Sequence, residues 1–201
     1  MSTPTSVNPN NVTVGLAAAW IQPWVDGTPA ALPADTVAYQ GDWSVGGTIP
    51  WAHMGGTDQG WKLTVSTKTS EITIEEQSTP VDILADGKTL TVAGALAEDT
   101  LQHALWAYGG GTLTIVAPGT TQIGKTTLSL QDNLDKWAIG LETINRYGFF
   151  RRILIPKAVI AEDVETSFRR AADKRMYPLT ASSICPISEI EIVDMTAAAT
   201  G

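Results

Sequence analysis

Residues 147–186 place the strongest constraint on the fold of this chain. They contain two apolar runs, 153–160 and 176–184, separated by a polar and charged connection. Both runs are rich in residues that suit a pleated strand, so the pattern predicts a long β-hairpin. Each run also contains a proline, Pro156 or Pro178, which has no N–H group to donate to a neighbouring strand. We therefore expect these strands at a sheet edge, a strand start or a β-bulge, and an open edge has to be covered or paired.

The composition is that of an ordinary globular chain with a preference for β-structure. Its 201 residues include 43% hydrophobic and 17% charged side chains, enough for one large domain or two small ones. Alternating apolar and polar residues between glycines and prolines favour strands. No apolar run approaches the roughly 20 residues that span a bilayer, and the first residues lack the pattern of a signal peptide. We expect folding in a cytoplasm, without insertion into a membrane.

We predict a single domain over residues 1–201, with two flexible ends. Residues 1–11 are polar and contain two prolines, so they are expected to form an N-terminal arm. Residues 195–201 are expected to form a C-terminal tail, because chain ends are often poorly ordered.

A long loop over residues 22–58 is the least periodic part of the sequence. It contains Trp24, Trp43 and Trp51 among several prolines and glycines. A segment of this length without secondary structure is usually a functional or binding loop. Because aromatic side chains are enriched at the centres of interfaces, we expect these tryptophans in contacts between subunits. Their use to fix the loop to its own domain is the alternative.

Charge is distributed unevenly along the chain. The net charge is −8, yet residues 146–175 hold 8 basic and 4 acidic side chains. An acidic protein surface disfavours tight binding of nucleic acid, whereas a local basic segment suits contacts between copies of the chain. We expect four arginines in such contacts: Arg151, Arg152, Arg169 and Arg170. A solvated basic hairpin is the alternative.

Secondary structure is predicted from periodicity. A helix is expected over residues 98–108, with acids in its first turn, an apolar face and Gly109 as its cap. Residues 165–175 fit either a helix or a hairpin connection. A hairpin is expected over 60–76 with its turn at 67–70, followed by two short strands around Asp86 and Gly87. Further strands are expected over 12–21, 113–116, 127–130, 137–141 and 187–195.

One motif in the chain is typical of catalysis. Residues 119–126, GTTQIGKT, match a phosphate-binding loop, in which Lys125 would contact the phosphates. That function requires a helix directly after the lysine, whereas Leu128 and Leu130 alternate with polar residues as in a strand. We interpret the motif as a hairpin turn and keep nucleotide binding as an alternative. We expect neither enzymatic activity nor a cofactor.

The sequence does not predict a metal site either. Cys185 is the single cysteine, and with only His53 and His103 the chain has too few Cys and His residues for a structural zinc site. We expect Cys185 to be a small core residue.

In the order of its parts over about residues 12–194, the chain resembles the major tail proteins, or tail tube proteins, of long-tailed, siphovirus-like bacteriophages. The resemblance is carried by an N-terminal strand, a long early loop, the hairpin GWKLTVSTKTSEITIEE and the helix EDTLQHALWAYGGG. Its most specific segments are RRILIPKAVIAE and RMYPLTASSICP.

The resemblance implies a tail-tube-type β-sandwich or barrel with one short helix. Six subunits would form a ring, and rings would stack into a hollow tube whose inner barrel consists of hairpins from all subunits. Residues 61–76 and 153–184 would then lie at the lumen. An acidic lining made by Glu71, Glu75 and Glu76 would let double-stranded DNA slide through without specific binding.

The implied partners are further copies of the chain, a tape measure protein, and the terminator and tip proteins of the tail. The implied location is the virion, after assembly in the host cytoplasm. A contractile tail tube or a secretion-system tube is a related possibility. The alternatives outside this class are the nucleotide-binding protein and a β-rich binding or adhesion domain.

Overall fold

The computed structural model describes residues 17–44, 49–73, 75, 79–144, 148–165 and 176–195. These parts of the chain contain ten strands and one α-helix. In chain order they are β1 (Ala17–Pro23), β2 (Ala52–His53), β3 (Lys62–Ile72), β4 (Asp82–Leu96), α1 (Leu101–Ala107), β5 (Thr112–Val116), β6 (Lys125–Ser129), β7 (Lys136–Ile144), β8 (Phe150–Ile160), β9 (Tyr177–Ser183) and β10 (Glu191–Met195).

Eight of these strands form one antiparallel sheet. Its order is β2-β1-β7-β8-β9-β4-β3, and β10 pairs with the first half of β8. Strands β5 and β6 form a separate two-stranded hairpin. The predicted mainly β fold with one short α-helix is therefore confirmed for the described residues. The inter-subunit barrel stays a prediction.

The main sheet is buried on both of its faces around β1, β7 and β8. Alternate side chains along a strand point to opposite faces, so neighbouring residues enter different clusters. The larger cluster lies on the face with α1 and includes Ile21, Trp106, Ile139, Ile155, Leu96 and Leu179. The smaller cluster consists of Trp20, Trp43, Trp51, Ala138 and Leu154. The helix thus covers one face, and the loop between β1 and β3 covers the other.

Helix α1 is shorter than predicted. Its N-cap is Thr100, whose side chain accepts a hydrogen bond from the N–H of His103, so the two preceding acids lie outside the first turn. Leu101 and Tyr108, both expected on the apolar face, are 40% and 38% exposed. Gly109 ends the helix with φ of +81°, as predicted, because this left-handed conformation is accessible to glycine.

The two prolines of the late segment lie where the sequence predicts them. Pro156 lies at a β-bulge in β8, where the pairing with β7 changes register. Pro178 is the second residue of β9 and pairs with Ala95 of β4. The predicted long hairpin is wrong, however. Strands β8 and β9 share only three residue pairs, because most of β9 pairs with β4 instead.

The hairpin of β3 and β4 replaces two predicted elements. The expected turn over 67–70 is wrong, because β3 continues through it to Ile72. The expected turn at Asp86 and Gly87 is also wrong. It is a bulge inside the 15-residue strand β4, and Gly87 has φ of +147° there. A Gly in this conformation is typical of irregular positions in a strand, which explains why the sequence resembles a turn.

The other strand predictions are confirmed where the structure describes them, except at the start of the strand expected over 187–195. Strands β5, β6 and β7 lie at the predicted places, and β1 covers the second half of the strand expected at 12–21. In the last predicted strand, Ile187–Glu189 form a short 3-10 turn before β10. The arm at 1–11, most of the 165–175 segment and residues 196–201 lie outside the described residues. No helix in the described part is long and apolar enough to cross a membrane.

Candidate assembly surface

The outer half of the β3–β4 hairpin is exposed along its whole length. We call it the outer hairpin and define it as residues 65–72 of β3 with residues 82–89 of β4. Before Thr91, over residues 82–90, β4 has no described partner strand other than β3. Strand β3 lies at the end of the sheet order. The outer hairpin is therefore a two-stranded ribbon with both edges open.

The outer hairpin exposes several large aliphatic side chains. Val65 is 54% exposed, Ile83 59% and Leu84 51%. The cross-strand partner of Leu84 is Ser70, whereas that of Ile83 is Glu71, so neighbouring apolar side chains point to opposite faces. Open edges with apolar side chains are templates for pairing with another chain. The ribbon has the properties of an interaction surface.

The acidic residues expected at a lumen lie at the far end of this ribbon. Glu71 is exposed near the end of β3, and Glu75 is exposed in the connection to β4. Asp82 and Asp86 are exposed on β4, where Asp86 accepts a hydrogen bond from the Ser70 hydroxyl. Glu76 lies outside the described residues. The sequence analysis did not name Asp82 or Asp86, because it placed a turn at Asp86 and Gly87 and so did not predict a continuous strand.

A second hairpin, formed by β5 and β6, also exposes apolar side chains. Ile115 is 76% exposed, and Ile123 in its turn is 90% exposed. Lys125 is the first residue of β6 and pairs with Val116 of β5. The motif at 119–126 thus forms a hairpin turn, as predicted, and a strand follows it. The helix that a phosphate-binding loop requires is missing after Lys125, although every residue there is described.

Trp43 and Trp51 lie in the core of their own subunit, which corrects the expectation that they contact another one. They are 1% and 8% exposed. Trp43 stacks on Trp20 with ring centroids 5.7 Å apart and meets Trp51 edge to face at 5.3 Å. Their surface is used inside the subunit, where Ala30 and Leu32 also pack against this cluster. The alternative, that these tryptophans fix the loop to its own domain, is the correct one.

Trp24 differs from the other two tryptophans of the loop. It is half-buried at the end of β1. The Nζ atoms of Lys136 and Lys157 lie 5.2 and 3.8 Å from the centroid of its ring. Trp24 keeps part of its surface free and has cationic neighbours.

Arg152 is also buried, and its expected contact with another subunit is wrong. Its side chain is 1% exposed and forms an ion pair at 2.9 Å with Glu142, which is fully buried. The guanidinium also donates to the carbonyl oxygens of Ala34 at 3.2 Å and Val37 at 2.5 Å. Glu142 accepts a further hydrogen bond from the N–H of Gln40 at 2.7 Å. This ion pair fastens residues 34–40 to the sheet.

Glu142 is a structural residue that the sequence analysis missed. It is the direct cross-strand partner of Arg152 in the β7–β8 pair. The signal was the presence of charged residues at the ends of two apolar runs, the glutamate of IGLE and the two arginines of RRILI. The predicted strand ends at residue 141, whereas β7 continues through Glu142 to Ile144.

Arg151 points to the other face and is exposed. It forms a two-pronged ion pair with Asp194 of β10, with an NH2–Oδ2 distance of 2.9 Å. The Arg151 guanidinium lowers the pKa of Asp194, mainly through this hydrogen bond. Arg151 is thus accessible but already paired, while Arg169 and Arg170 lie outside the described residues.

No group of metal-ligating side chains occurs among the described residues. Cys185 is half-buried against the larger cluster, in line with a packing role. Comparison with known proteins adds no relative: no family model matches the chain, and no curated protein is significantly similar to it. The inference of function therefore rests on the surface geometry and on the resemblance described above.

Proposed function

We propose that this chain is a structural subunit of a tail-tube-type assembly. In this proposal, copies form hexameric rings that stack into the hollow tail tube of a phage, through which double-stranded DNA passes. The observation that carries it is the outer hairpin, an exposed ribbon with two open edges and apolar side chains on both faces. The number of subunits in a ring comes from the resemblance alone.

Pairing between copies would close the open edges of this ribbon and would cover its exposed apolar side chains. A ring of equivalent subunits closes upon itself, so each hairpin edge finds a neighbour and no edge is left open. Burying Val65, Ile83 and Leu84 between subunits would also add hydrophobic stabilisation. Since the same surface recurs in every subunit, one hairpin is enough to build the ring.

The acidic end of the ribbon supports the proposal that double-stranded DNA passes through the ring. Glu71, Glu75, Asp82 and Asp86 are exposed there, against Lys68 and Lys88. In a closed ring these carboxylates would repeat around the opening. Negative charge repels the DNA backbone, so the duplex would pass without sticking. A tape measure protein and the terminator and tip proteins are the further partners of such a tube.

The other candidate functions have less support. Nucleotide binding through residues 119–126 lacks its helix, because β6 begins at Lys125. A β-rich binding or adhesion domain would also expose apolar side chains, but it would act without closing into rings. The state of assembly therefore distinguishes the leading proposal from this rival.

The test is negative-stain electron microscopy of the purified full chain after concentration, together with size-exclusion chromatography. We expect rings or tubes with a central opening. Ile83→Lys should prevent assembly, because it replaces an apolar interface residue with a charge. The new lysine faces Glu71 across the strands, so the hairpin itself keeps a favourable pair.

Leu130→Lys is the matched control, since Leu130 is 62% exposed and lies outside the hairpin. It should assemble like the wild type. A wild-type chain that stays monomeric at every concentration, or an Ile83→Lys variant that still forms rings, would contradict the proposal. ATP binding that Lys125→Ala abolishes would favour the nucleotide-binding alternative.

A further inference from the structure

A pocket of about 520 Å³ lies on the α1 side of the sheet, away from the outer hairpin. Its wall includes the rings of Trp24, Trp106 and Trp137, together with Pro23 and Pro50. These residues come from the end of β1, the loop before β2, the helix and β7. The volume is within the range of roughly 300–1,000 Å³ of small-molecule sites, which are mostly apolar with a few polar groups.

Two ammonium groups lie against the ring of Trp24, which forms part of the pocket wall, although Lys157 is not itself a lining residue. Lys136 lines the pocket, and both Lys136 and Lys157 lie against the ring of Trp24, at 5.2 and 3.8 Å. Neither lysine has an ion pair with any residue in the described part of the chain. Two unpaired cations at one ring repel each other, so an anion at this position would relieve their repulsion.

One acidic side chain, Asp135, also lines the pocket. Its Oδ1 accepts a hydrogen bond from the amide of Gln131 at 2.6 Å, and its Oδ2 accepts one from the N–H of Gly111 at 3.2 Å. The carboxylate therefore already has two donors. These neutral donors leave its negative charge in place, and the positive side chains lie at the Trp24 ring, so that end of the pocket is the one that suits an anion.

We propose that this pocket binds a small carboxylate with an apolar or aromatic body. The body packs among the tryptophan and proline side chains, and the carboxylate lies beside Lys136, at the Trp24 ring that Lys157 also contacts. Such binding is independent of assembly, because the pocket contains no residue of the outer hairpin. A subunit that never forms rings would still bind.

The test compares 3-phenylpropionate with its uncharged amide, 3-phenylpropanamide. Saturation-transfer NMR measures the affinity of both probes for the full chain, whether it is a monomer or a tube. We expect the acid to bind about three- to tenfold more tightly, since two partly exposed ammonium groups contribute modestly. Lys136→Gln with Lys157→Gln should lower the affinity for the acid to that for the amide.

The controls separate the charge from the apolar wall. Lys125→Gln, on β6 and outside the pocket, should leave both affinities unchanged, whereas Trp24→Ala should weaken the binding of both probes. Three results would overturn the proposal. They are equal affinities for acid and amide, a preference for the acid that survives the double lysine substitution, and no binding of either probe.

Discussion

The loop at 22–58 and the outer hairpin differ in how well their sequences indicate which one is exposed. The loop contains three tryptophans and no periodicity, which favours an interface, yet two of the tryptophans are buried in their own subunit. The outer hairpin contains mostly Thr, Ser, Asp, Lys and Glu with a few aliphatic residues, and it is the exposed ribbon. Aromatic content alone therefore does not separate an interface from a core. The deciding question is whether the subunit itself covers the apolar side chain.

The two regions also differ in how they are attached to the rest of the subunit. The loop is tied down by a buried ion pair and by stacked rings, so changes there should reduce stability. The outer hairpin is held to the subunit through one end only, so changes there should affect assembly and leave stability nearly unchanged. Four predictions test this difference.

The largest effect is expected for Arg152→Ala. The substitution leaves Glu142 as an unpaired charge in the core and removes the donors to the carbonyls of Ala34 and Val37. Breaking a buried pair on one side costs about 3–5 kcal/mol of unfolding free energy. Urea denaturation of the wild type and of Arg152→Ala measures this loss of unfolding free energy.

Arg151→Ala is the matched control for this prediction, because the neighbouring arginine is exposed and points to the other face. Arg151→Ala should lower the unfolding free energy by less than about 1 kcal/mol. If the two variants were equally stable, the buried ion pair would not be what fastens the loop.

A smaller loss of stability is expected for Gly140→Ala. Gly140 lies on β7 beneath Trp43, and an added Cβ would meet the ring at 2.0 Å from Cζ3. The ring has to shift within a packed cluster, and overpacking of this kind typically costs about 1–3 kcal/mol. Thermal unfolding followed by circular dichroism measures the change.

Gly56→Ala is the control here, since a Cβ at Gly56 meets nothing within 4 Å. It should change stability by less than about 0.5 kcal/mol. Equal effects of the two substitutions would mean that Trp43 is not held against β7, and the loop would again be available for contacts between subunits.

The buried ion pair of Arg152 and the packing of Trp43 on Gly140 could not be predicted from the sequence. The period of two along Lys62, Leu63 and Thr64 identified β3, and Gly109 correctly marked the end of α1. Periodicity is local, however, and it ended the strand where apolar residues gave way to Thr and Ser. It also cannot show that Glu142 and Arg152 face each other, because pairing between two strands depends on their register.

The candidate site was predicted only in part for the same reason. Glu71 and Glu75 were expected at a lumen; both are exposed in the subunit, and their place in a lumen stays a prediction. The length of the hairpin was not foreseen, because Asp86 and Gly87 resemble a turn when only neighbouring residues are considered. The burial of Trp43 depends on Gly140, nearly a hundred residues away, which leaves space for its ring.

In the outer hairpin, Ile83→Lys should change the unfolding free energy of the monomer by less than about 0.5 kcal/mol. Ile83 is 59% exposed and lies where β4 pairs only with β3. Urea denaturation at low protein concentration measures the stability of the unassembled subunit. A loss above about 2 kcal/mol would show that the ribbon folds back onto its own subunit, and the contrast with the loop would disappear.

The smallest effect concerns Arg151 and Asp194, the exposed pair that ties β10 to β8. Because the pair lowers the pKa of Asp194 in the folded state, its stabilisation is present above the ordinary value of 3.8 and is lost as the pH falls through the folded pKa. Solvent screens both groups, so the contribution at pH 7 should be below about 0.5 kcal/mol. Urea denaturation of the wild type and Arg151→Ala should differ by this amount at pH 7 and should converge below pH 3.8. If the difference in unfolding free energy between the wild type and Arg151→Ala grew on acidification, Arg151 would stabilise the subunit through a contact other than Asp194. The face of β8 with this arginine would then resemble the loop, which is held to its own subunit, more than the outer hairpin.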